Sequence, residues 1–398
     1  MRLRAASVLA CVAVAAACGS GSQGTTNSGQ MTGDDAASSG SGGSSGGSSS
    51  GGSSSSSGGS SGGSSSSSGS ASSSGSSSGA SSSSGGDGGA CGPYGAGIFT
   101  APNVWAKDVS CDPVDPNSAT ITAALEAAGG WGTSDNFQID NSLVVLHADA
   151  STPMAPFYQA SGYTTPDCDS FTMLPLPTGG AIEGQSNYTC DVGNNDCHLL
   201  IAYPPTHTLY EIYQATSMGS GIVGGCGVLW DLSKTYPDNL RGDQCTSADA
   251  AGFPMSAMLP DADEVASGAV THAIRFALPN PEIRAGVYVH PASHAGGPSG
   301  GADMPPYGVR MRLRASYPVS SLPTGAAQVI AKALQTYGMF LSDGGNVPLM
   351  VQNDQFTTNK WSSLNFDTHM LFGIKPTDFE IVDMGPTITL TYNCVRNP

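Results

Sequence analysis

The sequence predicts a mainly β fold: a β-sandwich of jelly-roll type with a few decorating helices, set behind a Ser/Gly-rich tether. Three observations predict it. Short segments of alternating apolar and polar residues recur between Gly- and Pro-rich turns, as they do in all-β domains. Stretches with helical spacing are few. Eight cysteines lie beyond residue 90, at 91, 111, 168, 190, 197, 226, 245 and 394, an even set suited to disulfides in an exported chain.

The N-terminus supports export. Arg2 and Arg4 precede an apolar run, Ala5 to Ala17, that ends in AAAC. Residues 1–17 read as a signal peptide, and Cys18 as a lipidated mature N-terminus that anchors the chain to a membrane. The run is too short to span a bilayer comfortably. Residues 18–90 are almost pure Ser and Gly, which bury too little apolar area to offset their ordering entropy. They read as a disordered linker whose ends lie roughly 45 Å apart as a random coil. Residues 91–398 read as one β-rich extracytoplasmic domain at the cell envelope, expected to be a monomer. That domain holds 12 Lys/Arg against 28 Asp/Glu. An acid excess of this size excludes nucleic acid as a partner, because a phosphate backbone demands a basic footprint.

Along the domain, Asn117 or Ser118 can cap ATITAALEAA, and Gly129 and Gly130 stop it, which predicts a surface helix. FQIDNSLVVLHADAS reads as strand, with Val144, Val145 and Leu146 a buried run. CHLLIAYPPTHTLYEIYQA predicts a hairpin turning near Pro204 and Pro205. Its second arm places Leu209, Glu211 and Tyr213 on one face and Tyr210, Ile212 and Gln214 on the other. GSGIVGGCGVLWDLS ends in another strand. CTSADAAGFPMSAMLP is irregular, DADEVAS a short helix, and HAIRFAL a strand. GAAQVIAKALQTYG puts Val329, Ile330, Ala333, Leu334 and Tyr337 at helical spacing before Gly338. MFLSDGG, FEIVDM and TITLTYNCV read as closing strands. Eight cysteines allow 105 pairings. Cys190 and Cys197 bracket the turn-rich DVGNND and are expected to pair locally.

In VRMRLRA, Arg310, Arg312 and Arg314 alternate with Val309, Met311, Leu313 and Ala315. Period two puts three guanidinium groups on one strand face. Such a face needs carboxylates opposite it, or it floors a cleft for an acidic or hydroxyl-rich substrate.

Four side chains stand out as catalytic candidates. Only six Glu occur in the domain. Glu183 sits in the glycine-flanked GGAIEGQ, and Glu211 sits mid-strand among aromatic residues, where burial would raise its pKa and suit a general acid. Two carboxyls held about 5–9 Å apart are what glycosidic hydrolysis requires. Asp196 and Asp231 are alternates. His198 lies two residues after Asp196, so on a strand that carboxylate would orient the imidazole. His290 lies beside Tyr288 and His294. With Arg275, Tyr288, His294 and the arginines 310, 312 and 314 positioning substrate, these groups also match the neutraliser, base and acid of a polysaccharide lyase. No CxxC pair, GxSxG, phosphate loop or dinucleotide fingerprint occurs. No metal site and no cofactor is expected beyond structural calcium, for which DNSLVVLHADAS and CDVGNND offer oxygen ligands.

As an ordered set, DCHLLIAYPPTHTLYEIYQA, CTSADAAGFP, HAIRFALP, VYVHPASH, PPYGVRMRLRA and ALQTYGMFLSDGG resemble a family of exported bacterial proteins of unassigned function. The resemblance spans roughly residues 170 to 383 and implies one exported domain, but no particular reaction. The residues themselves point to an extracellular polysaccharide as partner. Hydrolysis by paired carboxylates leads, with a lyase on an acidic glycan or a non-catalytic binding and adhesion module as alternatives.

Overall fold

The structure, a computed structural model, describes residues 91–160, 162, 164–191 and 196–398. The expected signal peptide, lipidation at Cys18 and tether lie outside the described residues, as do Val192–Asn195 of CDVGNND. The described residues form sixteen strands in four sheets and three α-helices, so the fold is mainly β, as the sequence predicts.

The first strands are β1 (Ile139–Leu143), β2 (Val145–His147), β3 (Met154–Gln159) and β4 (Met173–Pro175). The predicted hairpin is β5 (Leu199–Tyr203) and β6 (Thr208–Tyr213), followed by β7 (Thr216–Met218), β8 (Gly221–Gly224) and β9 (Cys226–Asp231). Then come β10 (Ile274–Leu278), β11 (Val287–Tyr288), β12 (Arg310–Leu313) and β13 (Met339–Gly344). β14 (Leu349–Gln352), β15 (Phe379–Ile381) and β16 (Ile388–Thr389) close the fold.

The largest sheet has the order β1-β14-β10-β13-β12-β15. A four-stranded sheet, β2-β5-β6-β9, and a second one, β4-β3-β8-β7, accompany it, and β11 pairs with β16. Pairing is mixed: β1/β14, β10/β13, β2/β5 and β3/β8 are parallel, and the hairpin arms are antiparallel. The run FQIDNSLVVLHADAS, read as one strand, changes sheets at the buried Val144, β1 joining the six-stranded sheet and β2 the β2-β5-β6-β9 sheet.

Side-chain alternation explains the layering. On β6, Leu209 enters the main core and Tyr213 packs against it, while Ile212 and Tyr210 belong to a second cluster. That second cluster takes Phe157 and Ile222 from β3 and β8 and Leu199 and Ile201 from β5, so it is the filling between the two four-stranded sheets. The main core carries Ile274, Phe276, Met311, Leu313, Met339 and Leu341 of the six-stranded sheet together with Trp230 of β9. Burying a large aliphatic side chain in such a layer is worth about 1.5–3 kcal/mol.

The helices fall where capping and periodicity place them. α1 (Ser118–Ala128) ends at Gly129, whose φ of 129° is one a glycine adopts without a Cβ penalty. α2 (Ala262–Ser267) is opened by a capping box, Asp261 accepting from the Glu264 N–H and Glu264 reaching back to the Asp261 N–H. α3 (Gly325–Thr336) starts at Thr324, whose hydroxyl accepts from the Ala327 N–H, and it buries Ile330, Ala331 and Leu334 against the six-stranded sheet. Among the described residues no helix is long and apolar enough to cross a membrane.

Among the described residues all eight cysteines pair. Cys190–Cys197 is the local bridge that the sequence suggests, and Cys91–Cys111, Cys168–Cys226 and Cys245–Cys394 complete the set.

Candidate functional site

Glu183, His198 and Arg275 come from three distant parts of the chain and line one pocket, together with Asp140, Asp196 and Asp343. Strand order makes the meeting. Asp140 lies on β1, Arg275 on β10 and Asp343 on β13, all in the six-stranded sheet. Glu183 is tied to both neighbouring layers: its N–H donates to the His198 carbonyl, and the next N–H, that of Gly184, donates to the Ser142 carbonyl on β1. The pocket therefore sits where the β1–β2 run passes between sheets.

The centre of the pocket is an ion pair. His198 Nδ1 lies 2.7 Å from Glu183 Oε2, and His198 Nε2 lies 3.1 Å from the Ala248 carbonyl oxygen. A carbonyl only accepts, so Nε2 carries a proton; the carboxylate on the other side accepts a hydrogen bond from a second proton, on Nδ1. His198 is therefore an imidazolium. Burial opposes its charge, but Glu183 outweighs this and pushes the pKa up to about 9. Burial likewise acts upward on Glu183, yet the His198 charge holds that carboxyl below its usual range. Ser142 Oγ donates to Glu183 Oε1 at 3.3 Å.

The other carboxyls behave differently. Burial raises Asp196 to about 7, against the pull of His198. Burial and then the Glu183 charge also raise Asp140, although the Ser142 N–H donates to it at 2.8 Å. Arg275 is buried and donates through its two terminal nitrogens to Asp249 at 2.8 Å, to Asp343 at 3.1 Å and to Met350 Sδ at 2.8 Å, while its buried Nε has no partner among the described residues. The open space in the pocket is about 40 Å³. That holds a few waters or a single hydroxyl, so a larger molecule must lie across its mouth.

The remaining predicted residues lie elsewhere. Glu211 is on the predicted face of β6 but does not line the pocket. It is wholly buried and accepts from Trp230 Nε1, the Met255 and Ser256 N–H groups and Ser256 Oγ at 2.8–3.1 Å. The expectation that it supplies the second catalytic carboxyl is corrected to a structural role, because every side of it is sealed. Neither Asp196 nor His198 lies on a strand, so the expected shared strand face is absent, and Glu183 holds the His198 ring.

The arginine strand is also corrected. Arg310 and Arg312 do alternate with the core residues Met311 and Leu313. Arg312 and Arg314, however, grip Glu380, with Arg312 Nε at 2.8 Å and Arg314 at 3.5 Å. Arg310 donates to the carbonyls of Tyr337, Val104 and Lys107. None of the three arginines lines the Glu183 pocket.

His290 and Tyr288 both bond Asp243 Oδ1, each at 2.9 Å, and His294 donates through Nδ1 to the Ala250 carbonyl. His290 and Arg310 line a second cavity of about 310 Å³, which shares no lining residue with the first.

Sequence reasoning missed Asp140, Asp343 and Asp249. The usable signals were SDGG, where an aspartate ends a strand before two glycines, and SADAAG, which puts Asp249 in an irregular loop. Compared with family models, with curated proteins and with solved structures, the chain matches none.

Proposed function

We propose that the Glu183–Asp196 pocket hydrolyses glycosidic bonds in an extracellular carbohydrate, in a protein held at the cell envelope through a lipid on Cys18. One observation carries the reading: Glu183 and Asp196 line one pocket, and their surroundings move their pKa values apart, Glu183 downward beside His198 and Asp196 upward by burial to about 7. Near neutral pH Glu183 is a carboxylate and Asp196 is in good part a carboxylic acid, which is the division of labour that glycoside hydrolysis needs. Asp196 gives its proton to the leaving oxygen as the C–O bond breaks. Glu183 takes a proton from a water held in the pocket, and that water's oxygen bonds to the anomeric carbon. His198 and Arg275 are positioning residues: the first keeps Glu183 ionised, and the second holds Asp343 at the wall.

The four disulfides suit an oxidising compartment, and the Arg2–Cys18 segment suits export and lipidation. The narrowness of the pocket suits a water and one oxygen of a chain that lies across the surface.

The test is a screen of the full chain against neutral and acidic polysaccharides, reading new reducing ends together with ultraviolet absorbance of unsaturated products. Reducing ends without absorbance are expected, with Glu183→Gln and Asp196→Asn each lowering kcat by about 10²–10⁴-fold. Absorbance that rises with the reducing ends would mean β-elimination and would remove the hydrolytic assignment. Retention on a polymer with no products would make the protein a binding module.

A further inference from the structure

The cavity beside the arginine strand has a size and lining that the hydrolytic reading leaves unused. At about 310 Å³ it falls within the range of small-ligand sites, about 300–1,000 Å³. Its walls combine three kinds of surface. Arg310 and Lys107 supply donors, Asp238 and Asp383 supply acceptors, and Val382 and Met384 supply an apolar patch.

Arg310 is the informative member. It is buried, its guanidinium stacks 4.7 Å from the Phe340 ring centroid, and unlike Arg241, Arg275 and Arg312 it has no ion pair to a carboxylate among the described residues. Three of its five N–H groups go to the carbonyls of Tyr337, Val104 and Lys107, which leaves two. Burial lowers its pKa to about 9, against the upward pull of the Asp112 and Asp108 charges. A ligand oxygen there would complete its bonding.

The charges choose the kind of ligand. An anion would face Asp112, Asp238 and Asp383, which outnumber Lys107 and Arg310, and Asp112 already neutralises Lys107 at 2.8 Å. A purely apolar ligand would strip water from these ionised groups and return no hydrogen bond. A neutral pyranose ring offers donors, acceptors and a C–H face at once. We infer that this cavity is a binding site for one uncharged sugar unit, its hydroxyls between Arg310 and the Asp238 and Asp383 carboxylates and its C–H face on Met384 and Val382. The site is separate from the Glu183 pocket, so it stands whether or not that pocket cleaves a glycosidic bond.

The experiment is a ligand-observed NMR titration of the full chain with the methyl glycosides of glucose, galactose, mannose and xylose, beside methyl glucuronide. At least one neutral glycoside is expected to saturate with Kd of about 1 mM. Asp238→Asn, at an exposed position, and Met384→Trp, which fills the space, should each weaken it by about tenfold or more. Asp196→Asn should leave this binding intact while lowering kcat by about 10²–10⁴-fold, so failure of the sugar site and failure of the hydrolytic site read out separately. The inference is overturned if no neutral glycoside saturates, if the glucuronide binds more tightly, or if binding survives Asp238→Asn. Should Met384→Trp fail to fold, the Asp238→Asn titration alone decides.

Discussion

At the residue scale, Glu183, His198 and Asp196 set how the pocket responds to pH. Loss of the Asp196 proton should impose an alkaline limb near pH 7 on kcat/KM, measured as a pH–rate profile. The pair also leaves a mark on stability. His198 is raised from 6.5 to about 9 on folding, so its contribution is fully present below about pH 6.5 and is lost as pH rises through 9. Glu183 is lowered from 4.5, so its share is present above that value and is lost as pH falls below it. Denaturant titrations should show wild-type stability falling between pH 6.5 and 9, with a flatter profile in His198→Gln. Glu211 shows the contrasting fate of a buried carboxyl. Glu211→Ala would strand Trp230 Nε1 and two backbone N–H groups in the core, and should cost about 3 kcal/mol or more in urea unfolding. From the sequence, the alternation of TLYEIYQA says which face Glu211 takes. It does not say that the Met255–Ser256 turn will cover that face, since the covering segment lies 44 residues away in the chain.

At the scale of elements, what was legible was local. The β5–β6 hairpin, the three helices and the Cys190–Cys197 bridge all follow from residues within about one turn or one hairpin of each other. The pocket was legible only in its parts. Glu183, His198 and Arg275 stood out one by one, but Asp140 and Asp343 join them only because β14 and β10 intervene between β1 and β13, an order that no stretch of sequence records. β7 and β4, three residues each, are too short to show a period, and Pro156 hides β3. The bridges should differ in worth as their loops do. Opening Cys190–Cys197, with a separation of 7, should cost about 2 kcal/mol by loop entropy. Opening Cys245–Cys394, with a separation of 149, should cost about 5 kcal/mol. Paired Cys→Ser variants compared by thermal unfolding would check the ranking.

At the scale of the whole molecule, two features act together: stacked sheets carrying a small carboxylate-lined pocket and a separate wider cavity, and a chain of net charge −17. Self-repulsion at that charge favours expansion, so raising salt from about 10 to 150 mM should lift the unfolding midpoint by about 2 °C, the opposite of what a fold held by surface ion pairs would show. The sign of that shift, read by calorimetry, is the check. One further consequence concerns proteases. The Cys245–Cys394 bond turns the segment that carries α2, α3 and β10 to β16 into a covalent ring. A single peptide cleavage anywhere inside that ring detaches nothing. A nicked molecule would gain only the mass of one water, and its two pieces would come apart only after a reductant is added.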